Sequence, residues 1–167
     1  KFAFRYGRVE VRMKTNLMQG NFPAAWMRPA DGDPALYSEI DIMESYGARA
    51  CSFHTAHTEL TRSDRRHGEA NSFRRHVDIT QWHVYGIEWT EKYIVWTVDG
   101  ETVGVYRKST DARLLAKGQW TFDRSFFLLL NQSVGNGAYG TSPDINAVYE
   151  TYIDWVRVYA DSVRTDS

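Results

Sequence analysis

Residues 38–44 read Ser-Glu-Ile-Asp-Ile-Met-Glu, three carboxylates in six positions with β-favouring apolar residues between them. Successive side chains of a β-strand point to opposite faces, so Glu39 and Asp41 share one face and Ile40 and Ile42 the other. Strict alternation would set Glu44 on the isoleucine face, where an apolar core penalises a lone carboxylate. One extra residue, a β-bulge near Ile42-Met43, brings Glu44 round to the side of Glu39 and Asp41. Like charges so close raise at least one pKa, which acid–base chemistry at neutral pH requires. On spacing alone the stretch also fits a solvated sheet edge or half of a calcium site.

The rest of the chain reads as strands. Val9, Val11 and Met13 alternate with Arg8, Glu10, Arg12 and Lys14, the pattern of a half-buried strand. A second strand runs from Gly20 to Trp26, and Pro23 inside it predicts an edge position or a bulge. Residues 50–57 predict a strand with Ser52, His54 and Ala56 on one face, and further strands are expected at 83–89 and 93–98. Asp99-Gly100 supplies a hairpin turn that needs positive φ, and 101–106 returns. Residues 111–117 predict one short helix, capped by Asp111 and ended by Gly118. The apolar run 125–134 predicts a strand buried on both faces, and 150–159 a final one. Residues 58–71 are polar, without apolar periodicity, and read as a long exposed loop. Short, regularly spaced strands with many turns argue for an all-β sandwich.

Several segments in order carry a resemblance: Gly20-Asn21-Phe22-Pro23-Ala24-Ala25-Trp26-Met27, then Glu39-Ile40-Asp41-Ile42-Met43-Glu44, Gly86-Ile87-Glu88-Trp89, Val98-Asp99-Gly100 and 152–159. Together they resemble glycoside hydrolase family 16, the laminarinase-like β-glucanases. The resemblance runs from Phe4 to about Tyr159 and implies a β-jelly roll of two curved antiparallel sheets with a substrate cleft across the concave one. It makes residues 1–160 a single catalytic domain and 161–167 a polar tail. It begins already inside the family's pattern, at Phe4-Arg5-Tyr6-Gly7, so the family's opening strands are expected to be missing. Without them a sheet edge is expected to stand unpaired, with Val9, Val11 and Met13 losing cover.

The resemblance also implies roles. Glu39 is the expected nucleophile of a retaining endo-glycosidase, Glu44 the general acid/base, and Asp41 the partner that tunes Glu39. Trp26, Tyr37, His54 and Gln132 match positions that face the substrate, a core tryptophan and a satisfied core histidine being the competing readings of Trp26 and His54. Tyr37 and Phe22 stand where many relatives carry tryptophan, and Ala138 where many place another. Asp154 matches a position that binds a structural calcium in many relatives; pairing with a neighbouring arginine is the competing reading. No cofactor is implied for the chemistry. The expected partner is a neutral β-1,3- or mixed-linkage β-1,3-1,4-glucan, and the expected location secreted, periplasmic or cell-surface.

Composition narrows the alternatives. The 167 residues are 43% apolar with a net charge of −1, one domain's worth of globular chain that gives no reason to expect nucleic acid or an anionic membrane. No apolar run reaches the roughly 18 residues of a membrane span. Cys51 is the sole cysteine, so no internal disulfide forms, and a buried strand position is expected for it. Five arginines between 62 and 76 motivate a second reading, a sulfated-galactan hydrolase of the carrageenase or porphyranase kind. A non-catalytic glycan-binding lectin on the same scaffold is the third; three intact carboxylates argue against it.

Overall fold

The computed structural model describes residues 2–33, 35–64, 70–135 and 142–160. Its elements, in chain order, are β1 (Gly7–Thr15), β2 (Asn21–Pro29), β3 (Ser38–Glu44), β4 (Cys51–Thr58), α1 (Glu59–Ser63), β5 (Ser72–His76), β6 (His83–Trp89), β7 (Tyr93–Val98), β8 (Glu101–Arg107), α2 (Ala112–Ala116), β9 (Phe126–Val134) and β10 (Thr151–Tyr159). They form two five-stranded sheets, β10-β1-β6-β7-β8 and β5-β4-β3-β2-β9. All neighbouring strands are antiparallel.

The sheets meet through their alternating apolar faces. Val9, Val11 and Met13 of β1 are fully buried, and Tyr85, Ile87, Trp89, Ile94 and Trp96 continue that layer. Against it lie Ala25 and Met27 of β2, Ile40, Ile42 and Met43 of β3 and Ala56 of β4. Each buried aliphatic side chain contributes about 1.5–3 kcal/mol relative to exposure. β1 is therefore not the strand that loses cover: it lies between β10 and β6, and both its neighbours are paired. Within the sheets, the exposed large apolar residues sit instead on edge strands, Leu130 and Val134 on β9 and Tyr152, Ile153, Val156 and Tyr159 on β10.

At the opposite side the sandwich is closed by one aromatic. Phe73 of β5 packs on Trp96 with ring centroids 5.5 Å apart. It approaches β8 so closely that a Cβ on Gly104 would meet the Phe73 ring at 2.1 Å, which only glycine permits.

Three expectations need correction. β9 is an edge strand with a half-exposed face, not a strand buried on both sides. The predicted loop at 58–71 contains α1, started by a reciprocal cap between Thr58 and Thr61 and anchored by the buried Leu60. β5 follows it with one apolar residue, Phe73, so its sequence carries no alternation to read. Pro23 lies in the interior strand β2, just past the last β3 pair, Ala24 with Glu44, where no ladder bond to β3 is required of it. The Asp99-Gly100 hairpin has positive φ at both residues, and α2 is capped by Asp111, as the sequence predicts. Residues 136–141, which include Ala138, and the tail 161–167 lie outside the described residues.

Candidate active site

The carboxylate strand is bulged where the sequence demands it. Against β2, Asp41 lies opposite Trp26 and Met43 opposite Ala25, leaving Ile42 without a partner. Against β4, Asp41 lies opposite Thr55 and Glu44 opposite Phe53, again one residue in excess. Ile42 and Met43 both turn inward and are buried, and Glu44 comes round to the open face with Glu39. The carbonyls here are taken up from inside. Trp96 Nε1 of the opposite sheet donates to Asp41 O at 2.8 Å, and His54 Nδ1 donates to Ile42 O at 2.7 Å.

On the open face each carboxylate has a neighbour. Tyr37 Oη donates to Glu39 Oε2 at 3.3 Å, and Tyr46 Oη to Glu44 Oε2 at 2.8 Å. His57 Nε2 stands 3.0 Å from Asp41 Oδ2 and 3.8 Å from Glu39 Oε1. The His57–Asp41 contact is a close charge pair rather than a well-aligned hydrogen bond, since Asp41 Oδ2 receives no aligned donor. Glu39, Asp41 and His57 bring one ligand atom each within 4.8 Å of one another.

Burial sets the electrostatics. It pushes the Glu39 carboxyl up to about 7, with the charge of Asp41 adding to the rise and His57 and Arg28 opposing it. Burial and then Asp41 likewise push Glu44 up to about 8. Asp41 is raised by its own burial, against the contact with His57 and a hydrogen bond from Glu44. For His57, burial pulls downward, but the close contact and charge of Asp41, with Glu39 and Glu44 behind it, carry it above its ordinary value. The cluster titrates as a unit and retains a proton near neutrality. Such a group can both donate a proton and present a carboxylate to an electrophile.

Aromatic side chains flank the carboxylates on both sides. Trp26 and Tyr37 line one end with Leu129 and Phe127, and Trp26 Nε1 donates to Asn131 Oδ1 at 2.6 Å. Phe22, Tyr46 and Phe53 pack in series at the other end as tilted rings, with centroids 5.1 and 4.8 Å apart. Apolar ring faces beside polar groups suit a sugar chain. The structure thus brings Glu39, Asp41, Glu44, Trp26 and Tyr37 together on one face.

Two residues expected to face the substrate, His54 and Gln132, lie elsewhere, and Asp154 takes its competing reading. His54 is fully buried between the sheets, its ring 6.4 Å from Tyr85, and Ser52 Oγ donates to its Nε2 at 2.9 Å. Burial lowers its pKa to about 4, so it stays neutral and supports the bulge instead of facing substrate. Gln132 points away from the cleft, bonding Asn21 and Thr151 of the sandwich interior edge, and its neighbour Asn131 takes the cleft face. Asp154 lies on the outer face of the other sheet, ion-paired with Arg12. Calcium needs six to eight oxygens, and a single carboxylate already held by a guanidinium does not fit it.

His57, Tyr46 and Asn131 went unread. Two follow from the register: His57 pairs with Glu39 across β3–β4, and Asn131 with Ala24 across β2–β9. Cross-strand partners share a face, but the pairing depends on loops that the sequence does not specify. Among the other tryptophans, Trp89 and Trp96 are core, and Trp82 and Trp155 are half-exposed on the outer face, under Arg12 and Arg157.

The chain's likeness to known proteins follows the same lines. The family model of glycosyl hydrolases family 16 matches residues 1–127. A β-glucanase of Rhodothermus marinus is 33% identical over 95% of this chain and 59% of its own length. A keratan-sulfate endo-1,4-β-galactosidase of Sphingobacterium multivorum is 32% identical over 95% of this chain and 38% of its own. The X-ray structure of the laminarinase from Rhodothermus marinus superposes with a TM-score of 0.81 at 30% identity, over 96% of this chain and 67% of that one. The chain thus spans between about two fifths and two thirds of the length of these three proteins.

Proposed function

Because the chain belongs to glycosyl hydrolases family 16 and has its jelly-roll fold, we propose that it carries the cleft of a retaining endo-glycosidase acting on β-1,3- or mixed-linkage β-1,3-1,4-glucans. The observation that carries the reading is the bulged strand, which sets Glu39, Asp41 and Glu44 on one aromatic-flanked face. Burial and the neighbouring carboxylates raise both Glu39 and Glu44, so the pair keeps a proton near neutrality, as a mechanism with one acid and one nucleophile needs. The family resemblance assigns the acid to Glu44 and the nucleophile to Glu39.

In the first step Glu39 attacks the anomeric carbon, the glycosidic C–O bond breaks, and the Glu44 proton passes to the leaving oxygen. In the second, Glu44 as carboxylate takes a proton from water, whose oxygen displaces Glu39 from the sugar with net retention. His57 favours the charged form of Glu39, and the neighbouring charge of Asp41 opposes it. A polymer of this kind is met outside the cytoplasm, which supports a secreted, periplasmic or cell-surface location. No described helix is long and apolar enough to cross a membrane.

Azide tests the roles in the longer protein that contains this chain. With an activated aryl β-glucoside, Glu44→Ala should still form the glycosyl-enzyme, and azide should release the β-glycosyl azide. Glu39→Ala leaves a hole that azide fills, giving the α-azide by one inversion. The opposite pairing of products would exchange the two roles, and inversion by the wild type would remove the retaining mechanism.

A further inference from the structure

Beyond Glu44 the cleft holds two guanidinium groups that the hydrolytic steps do not use. Arg49 is exposed and lines the cleft beside Glu44, Tyr46 and Phe53. Arg74 of β5 pairs with Phe53 across the ladder and so rises from the same face, since cross-strand partners share one. Phe53 is common to both, sharing the cleft lining with Arg49 and the ladder with Arg74, which places them at the same end of the sheet. Neither has a carboxylate partner among the described residues, whereas Arg62 is held by Glu59 and the adjacent Arg75 by Glu101. Two uncommitted arginines thus border the Phe22–Tyr46–Phe53 series, on which a sugar ring can lie.

We infer that Arg49 and Arg74 form a subsite for an anionic substituent, a sulfate ester or a carboxylate, carried by a sugar on the Glu44 side of the cleft. A guanidinium fork matches either group through two parallel hydrogen bonds, and a lysine does not. Placed in a cleft, the pair also concentrates the field that draws a polyanion in. The inference rests on the endo-glycosidase reading. It concerns the decoration of the chain, not the linkage cut, and with Glu44 as the acid it places the anion among leaving-group sugars.

The test uses three polymers with one backbone: laminarin, laminarin sulfate and a carboxymethylated β-1,3-glucan. Binding to each is read by affinity electrophoresis in the cold, and turnover by reducing-sugar release. The wild type should bind one or both anionic polymers more tightly than laminarin, with the advantage shrinking as salt is added. Which of the two gains more separates sulfate from carboxylate. Arg49→Ala and Arg74→Ala should each cut the ratio of anionic to neutral affinity by about tenfold, the scale of one charged hydrogen-bonded pair. Arg49→Lys should recover less than half of that loss in logarithmic terms, since it restores charge without the fork. Equal affinity for the three polymers in the wild type, or variants that lower all three alike, would overturn the subsite. Tight, arginine-dependent binding with no turnover of any polymer would keep the subsite and sink the hydrolase reading instead.

Discussion

His57 shows how a single side chain ties the cleft's charges together. Its positive charge lowers the pKa of both Glu39 and Glu44, and it stands 3.0 Å from Asp41. Replacing it with glutamine should leave Asp41 buried without a cation and let Glu39 rise above about 7. The nucleophile must be ionised to act, so the acid limb of kcat/KM should move to higher pH, and turnover at neutrality should fall by about 10–100-fold. A pH profile on laminarin reads this directly; an unmoved acid limb with lowered activity would make His57 a packing residue only. This histidine also marks where the sequence stopped speaking. His54 and His57 are three apart on one strand, so alternation puts them on opposite faces, yet it does not say which face is the cleft. Glu39, Asp41 and Glu44 were legible because burying any of them unpaired is costly, which leaves one arrangement. His54 had no such constraint, since a neutral imidazole with two partners is tolerated in a core. Gln132 and Asn131 pose the same ambiguity, and the face was decided by pairing with β2.

At the scale of the element, the bulge is one residue of β3 in excess against both neighbours. Deleting Met43 should therefore make both ladders regular while leaving Asp41 opposite Trp26 and Thr55, and Glu44 opposite Ala24 and Phe53. All three carboxylates stay on the open face by simple alternation. The loss is a buried methionine, about 2–5 kcal/mol of packing, so the variant should fold with a lowered melting temperature and keep measurable turnover. Inserting an alanine after Ile42 does the reverse: it adds a second excess residue, so Glu44 loses its place opposite Ala24 and Phe53, and glucan hydrolysis should be abolished even where the protein folds. Circular dichroism with reducing-sugar release separates the two, and an inactive deletion beside an active insertion would mean the bulge does more than set the face. Most elements could be read because alternation repeats at β1, β3 and β7. β5 could not, for Phe73 alone anchors it, and α1 could not, because its cap uses Thr61 where glutamate or glutamine is the usual signal. β9 is apolar enough for a central strand but lies at an edge, and no local pattern distinguishes the two.

For the molecule as a whole, the cleft costs stability in proportion to pH. Glu44 has a pKa near 4.5 when unperturbed and about 8 in the fold, and its side chain is almost wholly buried. Below pH 4.5 the folded and unfolded chains both hold the proton, and the group favours neither. Between 4.5 and 8 the unfolded chain releases it while the folded one keeps it, so the folded state binds more protons and stability falls as pH rises. Above 8 the folded carboxylate ionises as well and the penalty is complete. Glutamine at this position keeps the shape and cannot ionise. Glu44→Gln should therefore match the wild type near pH 4.5 and exceed it by about 1–3 kcal/mol above pH 8. By the usual scaling for a chain of this size, that is a rise of roughly 2–10 °C in melting temperature. Glu39→Gln should show the same sign with its rise complete nearer pH 7, the value to which Glu39 itself is pushed. The measurement is a melting series of the three proteins from pH 4 to 9. A gap that stays constant across the series would mean that the two glutamates are not strained by burial in the fold. The proton that the two-carboxylate mechanism needs near neutrality would then lose its electrostatic support.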